Sequence, residues 1–306
     1  MLNTVMKINQ HQLAWGSRTY VMGILNLTPD SFSGDGLLTE DAESNQYQLN
    51  LDAVIHKARD YIEDGADILD VGGESTRPGA QIVDAEEELQ RVVPVISKLA
   101  STLDVIISID TYKAKVAEAA IRAGAHMVND VWGFHADPQL AEVVAKYHTP
   151  VILMHNRSSW AHAEIKERLG GRYVGIPYDN LVEDVKKELL ESVDIARSAG
   201  IPDNQIILDP GIGFGKSVEQ NLELVNRLDE IHALGFPVLL GPSRKSFIGY
   251  TLNLPPDQRL EGTAAAVAIG IARGADIVRV HDVRFISRLV HMTDALVRRQ
   301  SPSENE

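Results

Sequence analysis

Short apolar runs recur along the chain, and most are introduced by a glycine and closed by a polar residue. Three stretches share one grammar: Asp64-Gly65-Ala66-Asp67-Ile68-Leu69-Asp70, Ala123-Gly124-Ala125-His126-Met127-Val128-Asn129 and Arg273-Gly274-Ala275-Asp276-Ile277-Val278-Arg279. Each reads as helix end, glycine, strand. Glycine just past a helix accepts the left-handed conformation that satisfies its last carbonyls, and a β-branched run suits a parallel strand covered on both faces. Looser copies are Ala199-Gly200-Ile201-Pro202 before Gln205–Asp209, and Leu234-Gly235-Phe236-Pro237 before Val238–Gly241. The runs Val21–Leu25, Val105–Ile109 and Val151–Met154 bring the predicted strands to eight. Helical spacing lies between them: Thr111–Ala123 places Val116, Ala119, Ala120 and Ala123 on one face, with Asp110 or Thr111 expected as its cap.

Strand and helix alternating eight times predict an α/β fold, a (β/α)8 TIM barrel, in one domain spanning 21–299. An open doubly wound sheet is the alternative, because strand number alone does not establish closure. Residues 1–20, with Trp15-Gly16 expected as the turn, predict a short N-terminal hairpin, and the polar end Gln300–Glu306 predicts a disordered tail.

Composition narrows the function. The chain of 306 residues has no cysteine, which excludes disulfides and thiolate-held metals. Its 29 Lys and Arg against 43 Asp and Glu give a net charge of −14 without a basic stripe, which argues against a nucleic-acid partner. Lys98, Asp104 and Arg273 interrupt the longest apolar stretches, so no membrane span is expected. The first residues lack the apolar core and cleavage site of a secretory signal, and a cytoplasmic location is expected.

The candidate chemistry stands where the apolar runs end. Asn26 follows the first, Glu74 to Arg77 the second, Asp110 the third, Asn129-Asp130 the fourth and His155-Asn156 the fifth. Asp209, then Ser243 to Lys245, then Arg279 with His281 follow the last three. A single such residue is most simply a helix cap. In a closed barrel all of them meet at one mouth, the face that carries the site in such folds. Asp110, Asn129 and Asp209 suit the N–H edge of a planar heterocycle, since a carboxylate facing adjacent N–H donors makes a paired, charge-assisted bond. Lys245, Arg279, His281 and Arg77 suit phosphate oxygens or a carbonyl. No nucleophile elbow and no zinc-site spacing is present.

The stretch Asp209-Pro210-Gly211-Ile212-Gly213-Phe214-Gly215-Lys216-Ser217 nearly spells a phosphate-binding loop. It fails at its first position, where Pro210 removes a backbone donor. A strand-to-helix connection fits the same spacing. Phe214 could cover a ring ligand or anchor the loop in the core.

Four motifs together closely resemble those of the dihydropteroate synthase family: Met22 to Ser33 (MGILNLTPDSFS), Gly72 to Gly79 (GGESTRPG), Leu208 to Lys216 (LDPGIGFGK) and Ser243 to Gly249 (SRKSFIG). The similarity runs in order from about Leu13 to Arg298. It implies a barrel enzyme of folate biosynthesis, a transferase that condenses 6-hydroxymethyl-7,8-dihydropterin diphosphate with p-aminobenzoate to 7,8-dihydropteroate and diphosphate, assisted by Mg2+ and inhibited by sulfonamides. Carried onto this chain, the resemblance implies that Asp110, Asn129, Met154, Asp209, Phe214 and Lys245 bind the pterin. Asn26, Arg279 and His281 would bind the diphosphate, with Asn26 also reaching the metal. Thr76, Arg77, Pro78, Phe214, Ser243 and Lys245 would form the aminobenzoate side. Asp110, Asp209, Lys245, Arg279 and His281 would carry catalysis, in a homodimer paired through its last helices. Two departures stand out: Gly34-Asp35-Gly36 shifts the first loop's carboxylate by one position, and the 156–180 connection is longer than usual. A pterin- or folate-binding barrel without synthase activity is the alternative reading.

Overall fold

The computed structural model describes residues 5–28, 38–41, 46–76, 80, 82–159, 162–166 and 168–298. A hairpin of β1 (Val5–Ile8) and β2 (His11–Ala14) precedes β3 (Tyr20–Asn26), and a second hairpin, β4 (Leu38–Asp41) with β5 (Gln46–Leu49), leads to α1 (Leu51–Glu63). Strand and helix then alternate: β6 (Ile68–Gly72), α2 (Ala85–Thr102), β7 (Ile106–Asp110), α3 (Ala114–Ala123), β8 (Met127–Asp130), α4 (Gln139–Tyr147) and β9 (Val151–Met154). A third hairpin, β10 (Ala163–Lys166) with β11 (Gly170–Tyr173), precedes α5 (Leu181–Ser198) and β12 (Ile206–Asp209). The chain finishes through α6 (Val218–Asn226), α7 (Leu228–His232), β13 (Leu239–Leu240), α8 (Ser246–Leu252), α9 (Leu260–Ala272), β14 (Ile277–Val280) and α10 (Val283–Val297).

Eight strands pair in parallel in the order β12-β9-β8-β7-β6-β3-β14-β13, and Leu208 of β12 bridges Val238 beside β13. The two ends of the sheet therefore meet. The molecule is a (β/α)8 barrel rather than an open sheet, and every strand foreseen from the apolar runs takes part in it.

Side chains alternate across each strand, and this alternation decides what reaches the barrel axis. Met22, Ile68, Ile106, Met127, Ile152, Ile207, Leu239 and Ile277 pack together inside the barrel. Their neighbours Val21, Leu69, Ile107, Val128, Val151, Ile206 and Val278 belong to the shell beneath the helices. Two residues further along the strands the same parity presents Asp70, Ser108, Asn129, Met154, Asp209, Gly241 and Arg279 to the interior, and the next positions are Gly72 and Asp110. The interior is thus apolar at one end and charged at the other.

The apolar end is closed by the N-terminal hairpin, whose Met6, Ile8, Leu13 and Trp15 join the inner cluster. Its turn falls at Asn9–Gln10 and not at Trp15–Gly16. A two-residue hairpin loop needs positive φ, which Asn9 adopts at 53°. Trp15 instead meets Tyr20 edge to face with ring centroids 5.8 Å apart, and Gly16 at φ 78° turns the chain into β3.

The start of α3 also departs from expectation. Neither Asp110 nor Thr111 caps it; Asp137 accepts from Ala114 N at 2.8 Å, and the buried face is Ala114, Val116, Ala117 and Ala120. Asp110 is thereby left for the mouth. Among the described residues no helix is long and apolar enough to cross a membrane. The polar end Gln300–Glu306 lies outside the described residues.

Candidate active site

Arg279 reaches across the mouth from β14 to two other strands. Its Nε donates to Asp70 Oδ2 at 2.6 Å and its Nη2 to Asp110 Oδ2 at 2.7 Å. Asn129 donates its amide Nδ2 to the same Asp70 oxygen at 3.1 Å. Asp70 is fully buried, and a charge so placed is tolerable only when paired. Burial pushes the Asp110 carboxyl above the usual carboxylate range and Asp70 adds to the rise, while Arg279 opposes it. Burial works against the charge on Arg279, but Asp70 and Asp110 hold its guanidinium above its ordinary value.

Asp209 and Lys245 form the facing wall. Asp209 Oδ1 accepts from Gly211 N at 2.7 Å. Burial raises this carboxyl, and the charge of Lys245 acts against the rise. Lys245 precedes α8, donates to the carbonyl of Ile212, and stands 4.2 Å from the centroid of the Phe214 ring. Burial pushes it down to about 8, with Asp209 opposing the fall and Arg279 adding to it. Phe214 is half-buried, so its ring is a surface of the mouth and not an anchor in the core. Met154, buried and paired in register with Asp209, lines the same side.

Ser243 and His281 join the two loops that follow β13 and β14. The His281 backbone N donates to Ser243 Oγ at 3.2 Å, and Oγ lies 3.0 Å from Nδ1 of the same ring. Asn26 ends β3 beside Gly72, where a Cβ would stand 3.5 Å from both Asn26 Oδ1 and Asp110 Cβ. Gly72 is therefore the space between those two side chains. Thr76 lies half-buried on the connection after β6. Arg77, Pro78 and Asp35 lie outside the described residues.

Not every polar strand end belongs to this mouth. Asp130 points outward, where its carboxylate accepts from Trp132 N at 2.8 Å and Phe134 N at 2.6 Å. His155 also turns away and is buried against Glu188 of α5. Glu74 is tied to Lys113 at the foot of its loop. Arg244 adopts φ 56° and pairs with Asp282, Nε to Oδ2 at 2.9 Å. Reading strand ends misses one residue of the site: Asp70, which holds Arg279 and Asn129 together. It lies inside an apolar strand and not at its end; its signal is the inward parity it shares with Ile68.

The glycine-rich loop is shaped by the backbone and not by a ligand phosphate. Gly211, Gly213 and Gly215 all have positive φ, and a Cβ on Gly211 would stand 1.8 Å from the His155 carbonyl oxygen. No other residue fits that approach.

A barrel whose mouth gathers buried carboxylates, an amide and several cations, with an aromatic face beside them, defines an enzyme that holds a flat, donor-edged ring next to an anionic group. The model of the pterin binding enzymes matches residues 22–281. The chain belongs to that family. It is 51% identical over 295 residues to the dihydropteroate synthase of Clostridium beijerinckii, covering 96% of this chain and 100% of that protein. It is 48% identical to that of Bacillus subtilis, covering 93% and 91%. Among solved structures it superposes with a TM-score of 0.81 at 49% identity on a Clostridium difficile dihydropteroate synthase crystallised in the presence of pteroic acid, covering 93% of this chain and 99% of that one. A Xanthomonas albilineans dihydropteroate synthase with 4-aminobenzoic acid gives 0.83 at 37% identity, covering 96% and 98%.

Proposed function

We propose that the chain is a dihydropteroate synthase, a transferase that condenses 6-hydroxymethyl-7,8-dihydropterin diphosphate with p-aminobenzoate, releasing 7,8-dihydropteroate and diphosphate. The observation that carries this reading is the orientation of three side chains by their neighbours. Arg279 occupies Asp110 Oδ2, Asp70 occupies the Asn129 amide nitrogen, and Gly211 N occupies Asp209 Oδ1. Asp110 Oδ1, Asn129 Oδ1 and Asp209 Oδ2 are then the acceptors left for a ring edge of N–H donors, the recognition chemistry a pterin requires.

The residues divide the reaction between them. Asp110, Asn129 and Asp209 hold the ring, with Met154 against its face and Lys245 on a ring acceptor. His281 and the unshared N–H groups of Arg279 meet the diphosphate with Asn26. As the bond from the pterin methylene to the diphosphate oxygen breaks, the electron pair leaves with the diphosphate, and the ring-stabilised cation that remains faces Asp110 and Asp209. The aryl nitrogen of p-aminobenzoate, placed by Phe214, Lys245, Ser243, Thr76, Arg77 and Pro78, attacks that carbon with its lone pair, and the resulting ammonium passes its proton to the released diphosphate or to water. The amine is a weak nucleophile, so positioning contributes more than activation.

Mg2+ belongs to the same proposal. Among the described residues no group of three His, Cys, Asp or Glu could hold a metal ion, but the amide oxygen of Asn26 is a hard donor. Mg2+ keeps several waters and shares substrate phosphates, so one protein oxygen beside the diphosphate fits it. When bound, the ion would neutralise charge developing on the diphosphate. A homodimer and a cytoplasmic location complete the reading; exposed Phe285, Met292 and Leu296 on α10, with Ile269 on α9, support pairing through the last helices.

The test is diphosphate release by the purified protein with and without p-aminobenzoate. Release that depends on the aminobenzoate, with 7,8-dihydropteroate as product, is expected. Pterin binding without turnover would instead establish the binding-barrel alternative.

A further inference from the structure

The lysine of the near-phosphate-loop motif has no part in the chemistry above, yet it is one of the largest fully enclosed side chains. Lys216 is 2% exposed. Its Nζ lies 2.9 Å from His155 Nδ1, 2.9 Å from the Gly211 carbonyl oxygen and 3.0 Å from that of Phe214. An ammonium has three hydrogens to give, and here each has an acceptor. No donor remains for a ligand phosphate. The ring of His155 accepts at Nδ1 and so carries its proton on Nε2, which meets Glu188 Oε2 at 3.0 Å. Arg157 holds the same carboxylate through Nε at 2.9 Å.

The cation fills the back of the glycine-rich loop, and the front of that loop is one wall of the mouth. Gly211 donates its N–H to Asp209, Ile212 offers its carbonyl to Lys245, and Phe214 sets its ring against the Lys245 ammonium. Each of these residues either carries a carbonyl that Lys216 binds or adjoins one that does. Positive φ at three glycines makes the loop costly to order, because glycine loses the most backbone freedom on folding. A buried ammonium drawing the Gly211 and Phe214 carbonyls to one point offsets that tendency.

We propose that Lys216 is a positioning residue for the synthase reaction, gathering the Gly211 and Phe214 carbonyls so that the pterin-facing Asp209 and the Phe214–Lys245 wall keep a fixed spacing. The assignment rests on the synthase reading of the mouth and adds a residue to it that touches neither substrate. Asp209, Lys245, Glu188 and Arg157 are the charged groups facing Lys216, besides the His155 ring. Burial pushes its ammonium down to about 7, with Asp209 and Glu188 opposing the fall. Lys245 shares Asp209 with it and otherwise faces Arg279 and Asp110. A change at Glu188 therefore acts on the loop's cation from behind.

The experiment compares Lys216→Met and Glu188→Gln with the wild-type enzyme in steady-state kinetics against each substrate, and in calorimetric binding of 6-hydroxymethylpterin. For Lys216→Met the expected result is a KM for p-aminobenzoate raised about tenfold or more, with pterin affinity within about threefold. For Glu188→Gln, which weakens the hold on the His155 ring that accepts from Lys216, the same KM should rise in the same direction, with pterin affinity again within about threefold. A folded Lys216→Met enzyme with both KM values within about twofold of wild type overturns the proposal. If that variant does not fold, an aminobenzoate KM in Glu188→Gln within about twofold of wild type overturns it alone. Wild-type protein that releases no diphosphate at all would overturn the synthase reading and this assignment with it, whereas an active wild type beside an unaltered Lys216→Met overturns this assignment only.

Discussion

Arg279 and Asp70 are joined by a 2.6 Å bond across the barrel, although 209 residues separate them in the chain. The bond makes a fully buried carboxylate the support for a cation at the mouth. Asp70→Asn keeps the shape and removes the charge. A hydrogen bond to a charged group is worth about 1.5–3 kcal/mol, so denaturant unfolding should show a loss of about that size. Arg279 would then keep a neutral amide oxygen on this side and Asp110 as its one charged hydrogen-bond partner, and kcat/KM should fall roughly tenfold or more. Kinetics equal to wild type would show that Arg279 needs no such support.

Asp209→Asn tests the ring contact. The substitution exchanges a charge-assisted pair for a weaker one and should raise the dissociation constant of a pterin roughly ten- to hundredfold, measured by calorimetry. Near-normal turnover of this variant would remove Asp209 from its assigned role.

Leu13→Ala probes the opposite end. Leu13 is 2% exposed in the plug formed by the N-terminal hairpin, and a buried Leu→Ala change costs about 2–5 kcal/mol. Unfolding should register that loss while KM for both substrates stays within about twofold, since the plug and the mouth lie at opposite ends of the barrel. A large KM change would mean that the plug shapes the site.

Acid should loosen the molecule through His155 and Glu188. Burial pushes His155 down to about 4 from an ordinary 6.5. Between those values the unfolded chain takes up a proton that the folded one does not, so stability falls as pH drops through that window. Glu188 suffers a desolvation cost but is held down to about 2 by His155 and Arg157. Its contribution is present above the unfolded value of 4.5 and is lost as pH falls toward 2. Both act in the same direction. Thermal melts of His155→Gln between pH 7 and 4 should show a shallower acid decline than wild type, and an identical slope would rule His155 out as the source.

Chelation tests the metal. Excess EDTA should suppress diphosphate release, with added Mg2+ restoring it, while 6-hydroxymethylpterin, which lacks phosphate, should bind equally well in either condition. Full turnover in the chelator would exclude the ion from the reaction.

The mouth is legible from local pattern to an unequal degree. Asp110, Asn129, Asp209, Lys245, Arg279 and His281 stand at or just past strand ends, and the structure brings them to one end of the barrel. Asp130 and His155 follow the same rule and face away, because a one-residue step along a strand reverses the side chain. Asp70 escapes notice because a carboxylate inside an apolar run looks like an interruption until the strand's parity is known. Lys216 sits in a motif that suggests a ligand phosphate, and only the packing of Gly211 on His155 reveals that the loop binds its own cation.

Amphipathic period, glycine after helix and β-branched runs are properties of neighbouring residues, and from them alone the chain declared eight strands, their helices and the sites of its polar side chains. Its motif wording likewise announced the family. What no neighbourhood could settle was partnership: which carboxylate holds which cation, which way Asn129 turns its amide, and where the hairpin seals the cylinder. Those depend on strand register and closure, which bring side chains hundreds of residues apart to within hydrogen-bonding distance and then let burial and charge choose among them.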